Sequence, residues 1–285
     1  MTADGTLTFW GVRGSIPAPG PHTVTFGGNT SCVSVEYGEH VVIFDAGSGL
    51  RRLGLHLLAQ RAPAPIAGSL FLTHTHWDHI QGLPFFTPAF APENQFVIYG
   101  EARHRYSLVE LMEDQIQHPF FPVEMQHLFR AHINFRELES GESVALDART
   151  RVTAVRLTHP NAALGYVLQL DALRVAYITD HEHPLEQCSP QVREAVTGVD
   201  LLIHDAQYSR DEIRHGKQGW GHSAWEDVVD LAREAQVKQL FLFHHDPEAT
   251  DEHLNARQFQ AQQRFPPTFV AREGLKIPLH SVSGR

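Results

Sequence analysis

The sequence predicts an α/β protein in which two β-sheets lie between outer helices. The main observation is that short apolar segments typical of strands are followed by helical segments, in two successive halves of the 285 residues. A second observation is that several of these strands end directly before a histidine or an aspartate. We find no internal repeat, low-complexity segment or linker, and we therefore interpret residues 1–285 as a single domain.

The first half begins with a predicted strand over 6–10. Segments 32–37 and 40–45, separated by Gly38, have the pattern of a hairpin. The glycine-rich turn after Asp45 connects this hairpin to a helix predicted from about 50 to 60, and Asp45 itself is a candidate to orient a metal ligand. A further strand at 70–73 is followed by a helix that begins near Asp78.

An aromatic-rich segment follows at about 84–138, which contains eight phenylalanines and several prolines. We interpret it as an insertion that packs over the site or forms a dimer surface, with a helix around 103–117. The remaining predicted elements are strands and one helix, at 152–158, 166–170, 174–179, 201–205, 224–235 (the helix) and 239–243.

The composition is that of an ordinary globular protein except for its histidines. Hydrophobic residues make up 42% and charged residues 20% of the chain. The 20 histidines nearly match the 23 lysines and arginines, which favours metal chemistry. A formal charge of −10 argues against affinity through broad contact with nucleic-acid phosphates.

The expected location is the cytoplasm, without a membrane partner. No apolar stretch approaches the roughly 20 residues that span a bilayer, and no signal peptide is visible. Cys32 and Cys188 are too few for a disulfide framework.

The motif His74-Thr75-His76-Trp77-Asp78-His79 carries most of the chemical information. It follows the apolar run 69–73, so a buried strand delivers three imidazoles and a carboxylate within six residues. Transition metals bind such ligands. Because no cysteine is near, the ligand set is more open than that of a structural zinc site and leaves room for water, as a catalytic site requires.

The same arrangement recurs at four later strand ends. Ligands held there are placed by a rigid scaffold and converge at one edge of a sheet. The residues concerned are His159, Asp180, the pair His204 and Asp205, and the pair His244 and His245.

In these motifs the sequence closely resembles the metallo-β-lactamase superfamily, whose signature is His-x-His-x-Asp-His. The resemblance implies a four-layer αββα sandwich and a site for two divalent metal ions. Zinc is the default metal, with manganese and iron as alternatives. The implied ligands are His74, His76 and His159 for the first metal, Asp78, His79 and a final histidine for the second, and Asp180 between them. Alignment of the strand ends selects His244 as the final histidine, with His245 as the alternative.

Within the superfamily, the chain is more similar to the tRNase Z and phosphodiesterase branch. The segment from His204 to Tyr208 resembles the His-Glu-Ala-Thr motif of that branch, with Asp205 in place of glutamate. Gly221-His222-Ser223 matches its Gly-His-Ser motif. The resemblance implies that Asp205 orients His222, which donates a proton to the leaving oxygen. A structural alternative is that His222 only precedes a helix capped by Ser223.

The expected activity is hydrolysis of a small anionic phosphodiester or a cyclic nucleotide. A hydroxide bridging the metals would be the nucleophile and His222 the general acid, and Asp78 is counted with Asp205 and His222 as catalytic. Only 20 residues separate His159 from Asp180, which leaves no room for the arm by which bacterial-type tRNase Z enzymes hold tRNA. With the acidic charge, this predicts that tRNA is not a substrate.

Three other readings stay open. The same metal site suits an acyl-ester hydrolase of the lactonase, thioesterase or β-lactamase type. A di-iron redox or sensor protein would use similar ligands, and a metal-dependent binding module is the non-enzymatic alternative. Weaker candidates for phosphate contacts are Arg13, Asn29, Arg51 and Arg52, and the phenylalanine-rich segment allows a homodimer.

Overall fold

The architecture is a sandwich of two β-sheets with helices on both outer faces. The computed structural model describes residues 5–102, 106–184 and 189–279, and within these ranges fourteen strands form two seven-stranded sheets. None of the helices in this described part of the chain has the length and apolar character needed to cross a membrane. The predicted αββα layering is confirmed.

The first sheet combines strands from the N-terminal half with one short strand near the C-terminal end of the described chain. Its order is β14-β1-β2-β3-β4-β5-β6, and β3 to β6 run parallel. The strands are β1 (Gly5–Gly11), β2 (Cys32–Tyr37), β3 (His40–Phe44), β4 (Ala67–Phe71), β5 (Gln95–Gly100), β6 (His132–Glu137) and β14 (Lys276–Pro278).

The second sheet is built from the C-terminal half. Its order is β13-β12-β11-β10-β9-β8-β7, and β10 to β13 run parallel. The strands are β7 (Ser143–Ala145), β8 (Thr150–Leu157), β9 (Ala163–Leu170), β10 (Leu173–Ile178), β11 (Leu201–Asp205), β12 (Gln239–Phe243) and β13 (Thr268–Val270).

The helices cover the outer faces and the edge of the sandwich. Short 3₁₀ turns at Leu83–Phe85 and Thr87–Phe90 and a π-turn at Ile213–Lys217 complete the connections. The helices are α1 (Leu50–Arg61), α2 (Trp77–Ile80), α3 (Leu108–Gln115), α4 (Met125–Leu128), α5 (Pro190–Val196), α6 (Arg210–Glu212), α7 (Trp225–Glu234) and α8 (Asp251–Arg264).

The sheets are held together by an aromatic core. Phe44 of the first sheet stacks on Tyr177 of the second at 5.2 Å, and Phe9 contacts Phe241 at 5.4 Å between ring centroids. Two further apolar clusters lie between the sheets and the helices, one for each sheet. Burial on both faces explains why β11 and β12 have continuous apolar sequences. The sandwich therefore fixes the relative positions of strand ends from both halves of the chain.

The segment 84–138 differs from its prediction in content. It contains β5 and β6, which pair in register with β4 and with each other, and the sequence analysis predicted only a helix there. The observed helix, α3, begins at Leu108 after the capping residue Ser107. The first residues of the predicted helix, 103–105, lie outside the described residues, as does Cys188.

A candidate metal centre with a histidine–aspartate pair

The histidine motif lies at the end of β4, where the chain leaves the first sheet. Beyond Phe71 the chain stays buried through His74, and α2 then begins at Trp77, so Asp78 and His79 lie in its first turn. These two side chains are buried. The candidate ligands of the motif, which alternate with other residues in the sequence, thus lie together at one edge of the sandwich.

A first group of donors combines this motif with two strand ends of the second sheet. Its members, His74, His76, His159 and Asp180, place one ligand atom each within 4.8 Å of one another. His159 Nε2 lies 3.2 Å from His76 Nδ1, and Asp180 Oδ2 lies 3.6 Å from His74 Nε2. Both sheets therefore contribute to this group.

A second group lies on the other side of Asp180. Its members are Asp78, His79, Asp180 and His244. Asp180 Oδ1 lies 3.1 Å from the Nε2 atoms of both His79 and His244, and His244 Nε2 lies 3.1 Å from Asp78 Oδ2. The two oxygens of Asp180 thus face different groups, which is the geometry of a bridging carboxylate.

Hydrogen bonds fix which nitrogen faces inward in three of these imidazoles. Asp45 accepts from His79 Nδ1 at 2.8 Å, Gly221 O from His159 Nδ1 at 3.0 Å, and Gln207 Oε1 from His244 Nδ1 at 3.1 Å. The Nε2 atom of each of these three histidines then keeps its lone pair and faces the other candidate ligands of its group. Outer hydrogen bonds of this kind orient metal-binding histidines.

His74 provides a direct test of whether these residues suit a metal ion. Thr73 Oγ1 donates to Asp45, so it accepts from His74 Nδ1 at 3.1 Å and leaves the Nε2 lone pair free. That Nε2 atom is buried and has no hydrogen-bond partner within the described structure. A bound cation is the group that would satisfy it, since an unpaired buried polar atom is costly. The arrangement fits a divalent metal centre.

Asp45 lies outside both groups but is tied to each. It is fully buried, and Tyr177 Oη and the Thr73 backbone N–H also donate to it, at 2.9 and 2.8 Å. Burial lowers the pKa of His79, but the carboxylates of Asp180, Asp78 and Asp45 together raise it well above its ordinary value. A metal ion would replace the proton that these carboxylates favour. The proposal from sequence that Asp45 orients a ligand agrees with these contacts.

Asp45→Asn is expected to weaken metal binding by about 10–100-fold, because it removes the carboxylate that orients His79. The measurement is metal content after dialysis against a graded series of chelator concentrations. Tyr177→Phe is the matched control, since it removes one donor to Asp45 without changing the charge, and it should have the smaller effect. Equal metal retention in wild type and Asp45→Asn would contradict the assignment.

His222 and Asp205 form a pair beside the two groups. His222 Nδ1 donates to Asp205 Oδ2 at 2.9 Å, and the His222 ring lies 5.1 Å from His244 and 5.5 Å from His159 between centroids. Burial alone would lower the pKa of His222, but the adjacent carboxylate of Asp205 raises it to about 9. Without metal ions, the imidazole therefore carries its proton readily at neutral pH. The positive charge of a nearby metal ion would lower this pKa.

The backbone around this pair is shaped by glycine and by a hydroxyl contact. Gly221 has φ +89°, and a Cβ there would lie 2.0 Å from His159 Nδ1, so only glycine fits beside that imidazole. Ser223 does not cap the following helix as the sequence suggested: its hydroxyl donates to the His181 carbonyl, and Ala224 occupies the cap position.

The two alternatives for the last histidine are separated by their contacts. His244 lies in the second group. His245 Nε2 is 2.7 Å from the Ala271 carbonyl and therefore faces away from the second group. His204 also points elsewhere, with Nδ1 bonded to the Asp205 carbonyl.

Three of the four weaker phosphate candidates, Arg13, Asn29 and Arg52, bond to groups outside the two donor groups. Arg13 is buried and donates to the carbonyls of Gly27, Asp246 and Ala249. Asn29 and Arg52 both bond to Glu273. These contacts assign structural roles, which a positive charge in a sequence does not reveal.

Ser15 is a site residue that sequence reasoning missed. Its backbone N–H donates to Asp78 Oδ2 at 2.8 Å, with φ +63°. It lines an open cavity of about 510 Å³ together with seven residues of the donor groups and their neighbours: Thr75, His76, Trp77, Asp78, Asp180, His222 and His244. The sequence after Arg13 is rich in proline and glycine, which indicates a constrained loop but does not identify this contact.

Comparison with known proteins bears on the family and the fold of the chain. A family model described as a beta-lactamase superfamily domain matches residues 40–245. A Ribonuclease Z of Haloarcula marismortui is 24% identical over 286 residues, covering 84% of this chain and 85% of its own. Among solved structures, human tRNase Z, short form, has a TM-score of 0.66 at 20% identity, with 96% and 99% coverage of the two chains. A diphosphatase from the PhnP family reaches 0.67 at 20% identity, with 96% and 97% coverage.

The expectation that tRNA is not a substrate is wrong on this evidence, because the curated relatives are named Ribonuclease Z, a tRNA-processing enzyme. The missing arm between His159 and Asp180 excludes one way of holding tRNA, and the net charge of the whole chain does not describe the surface near the cavity. The family match covers more than half of the chain and includes the histidine motif. The chain therefore belongs to the beta-lactamase superfamily, similar to its Ribonuclease Z members, and is a metal-dependent hydrolase of that superfamily.

Proposed function

We propose that the protein hydrolyses phosphodiesters at a site that holds two divalent metal ions, with zinc as the resident metal. The observation that carries the proposal is the position of the His222–Asp205 pair, directly beside two donor groups that share Asp180. Acyl transfer depends less on a separate proton donor than phosphodiester cleavage does. The Ribonuclease Z name of the relatives supports the same choice.

The residues divide into two ligand sets. His74, His76 and His159 would hold one ion, and Asp78, His79 and His244 the other, with one oxygen of Asp180 on each. Nitrogen and carboxylate ligands without thiolates suit zinc and leave positions for water and substrate. Bound metals would lower the pKa of a water molecule and neutralise charge on the phosphoryl oxygens.

The chain's own contribution to bond cleavage is the proton on His222. An alkoxide is a poor leaving group at neutral pH, so its oxygen must be protonated as the ester bond breaks. Asp205 holds Nδ1 of His222 at 2.9 Å, which leaves the Nε2–H as the proton to be donated. His222 also lines the cavity, so it can reach a bound substrate.

The proposal is tested by assaying purified protein with bis(p-nitrophenyl) phosphate and with a panel of lactones, thioesters and β-lactams, alongside elemental analysis. We expect phosphodiester turnover and about two metal ions per chain. Turnover of the acyl esters with no phosphodiester cleavage would overturn it. Chelator treatment should abolish the activity, and added zinc should restore it.

A further inference from the structure

A second cavity adjoins the metal site and has a different chemical character. It measures about 550 Å³ and shares Thr75 and Trp77 with the cavity of the metal centre. Its other walls come from α2, α3 and the segment around Phe120, and they are largely apolar. A group attached to the scissile phosphate could therefore extend past Trp77 into this space.

Aromatic rings dominate the accessible walls. Trp77 and Phe120 are each 80% exposed and Phe85 is 52% exposed, although large aromatic side chains are usually covered. Phe85 is held in place by an edge contact with Phe121 at 5.9 Å. Exposed apolar groups concentrated in one concave region mark a ligand-binding site more often than scattered ones do.

The cavity also offers polar groups at its rim and wall. Gln115 lines it. Asp114 and Gln81 line it as well. A heteroaromatic ring suits this lining better than an aliphatic chain does, because its faces stack on the exposed aromatic rings and its edge carries hydrogen-bonding atoms for the polar side chains.

We propose that this cavity, lined by Trp77, Phe85, Gln115 and Phe120, binds the base of a nucleotide whose phosphodiester lies at the metal centre. The inference rests on the proposed phosphodiesterase function and names its substrate class. Stacking on Trp77 positions the nucleotide because that residue lies between two donor residues, His76 and Asp78.

Two substrates with the same leaving group test the inference. Thymidine 5′-(p-nitrophenyl phosphate) and methyl p-nitrophenyl phosphate both release p-nitrophenolate, and only the first carries a base. For wild type we expect kcat/KM to be about tenfold or more higher with the nucleoside substrate. Equal values for the two substrates would overturn the proposal.

Variants locate the effect. Trp77→Ala and Phe120→Ala should each remove most of the preference for the nucleoside, mainly through KM, while activity on the methyl ester stays within about twofold for Phe120→Ala. Because Trp77 is next to two donor residues, the metal content of the Trp77→Ala variant is measured too. Phe120 is not adjacent to a donor residue, so its variant tests the cavity independently of metal binding. Phe259→Ala is the matched control, since that ring is also exposed but lies on α8 outside the cavity. A preference unchanged in Phe120→Ala would contradict the assignment.

A binding measurement separates this inference from the proposed function. Calorimetry on zinc-loaded protein compares thymidine 5′-monophosphate with methyl phosphate. Tighter binding of the nucleotide, weakened in Phe120→Ala, would support the base site even if neither phosphodiester were hydrolysed, in which case only the proposed reaction fails. Equal binding of the two phosphates would overturn the base site and leave the proposed reaction intact.

Discussion

Asp180→Asn should abolish binding of at least one metal ion and reduce phosphodiester turnover by about 10³-fold or more, the equivalent of several kcal/mol of transition-state stabilisation. The reason is that the two carboxylate oxygens face different donor groups, and an amide retains only one acceptor and no charge. Asparagine also tolerates the left-handed backbone at this position, φ +53°, so the fold should survive. Elemental analysis and kcat report the result.

Asp171→Asn is the control for that experiment. Asp171 has the same φ of +53° but lies at an exposed turn, where it pairs with Arg149. Its substitution should change neither metal content nor activity. Full metal content and more than a tenth of wild-type activity in Asp180→Asn would show that this carboxylate does not bridge two ions.

His222→Ala should lower kcat by about 10²–10⁴-fold for a substrate with a poor leaving group while the metal content stays the same. Diphenyl phosphate serves as that substrate, and bis(p-nitrophenyl) phosphate, whose leaving group is more acidic, serves as the comparison. Because a proton donor matters less when the leaving group is stable as an anion, the loss should be much smaller with the nitrophenyl ester.

The dependence on leaving group distinguishes proton donation from a structural role. A general disturbance of the site would lower both activities by the same factor, and that result would remove His222 from the mechanism. Asp205→Asn should show the same dependence in weaker form, since it leaves the imidazole but removes its carboxylate partner. His215→Ala, a substitution of an exposed histidine on the nearby π-turn, is the control.

The donor residues were predictable because ligand chemistry and strand patterns coincide in the sequence. A histidine or aspartate directly after an apolar strand is constrained to one edge of a sheet, and His74, His159, Asp180 and His244 all obey this rule. The strand-end rule also selects His244 over His245, and the contacts of His244 Nε2 with Asp78 and Asp180 agree with that choice.

Other features depend on contacts that sequence patterns do not encode. The sequence analysis did not predict α8, whose apolar positions are few and whose start is set by Thr250 accepting from the His253 N–H. The strands β5 and β6 were hidden because aromatic and proline residues around them resemble an insertion. Arg13 looked like a phosphate ligand, yet its guanidinium is used to satisfy backbone carbonyls. Such assignments need the tertiary neighbours.

The shared origin of the donors in both sheets links catalysis to the integrity of the whole sandwich. The first sheet alone supplies the His74–His79 motif and the second supplies His159, Asp180 and His244, so neither half holds a complete ligand set. A metal ion bound there would join the two halves of the sandwich at the end of their aromatic core. If the sandwich opened partially at this edge, the ligands would separate, and metal binding and activity would be lost before either sheet unfolded.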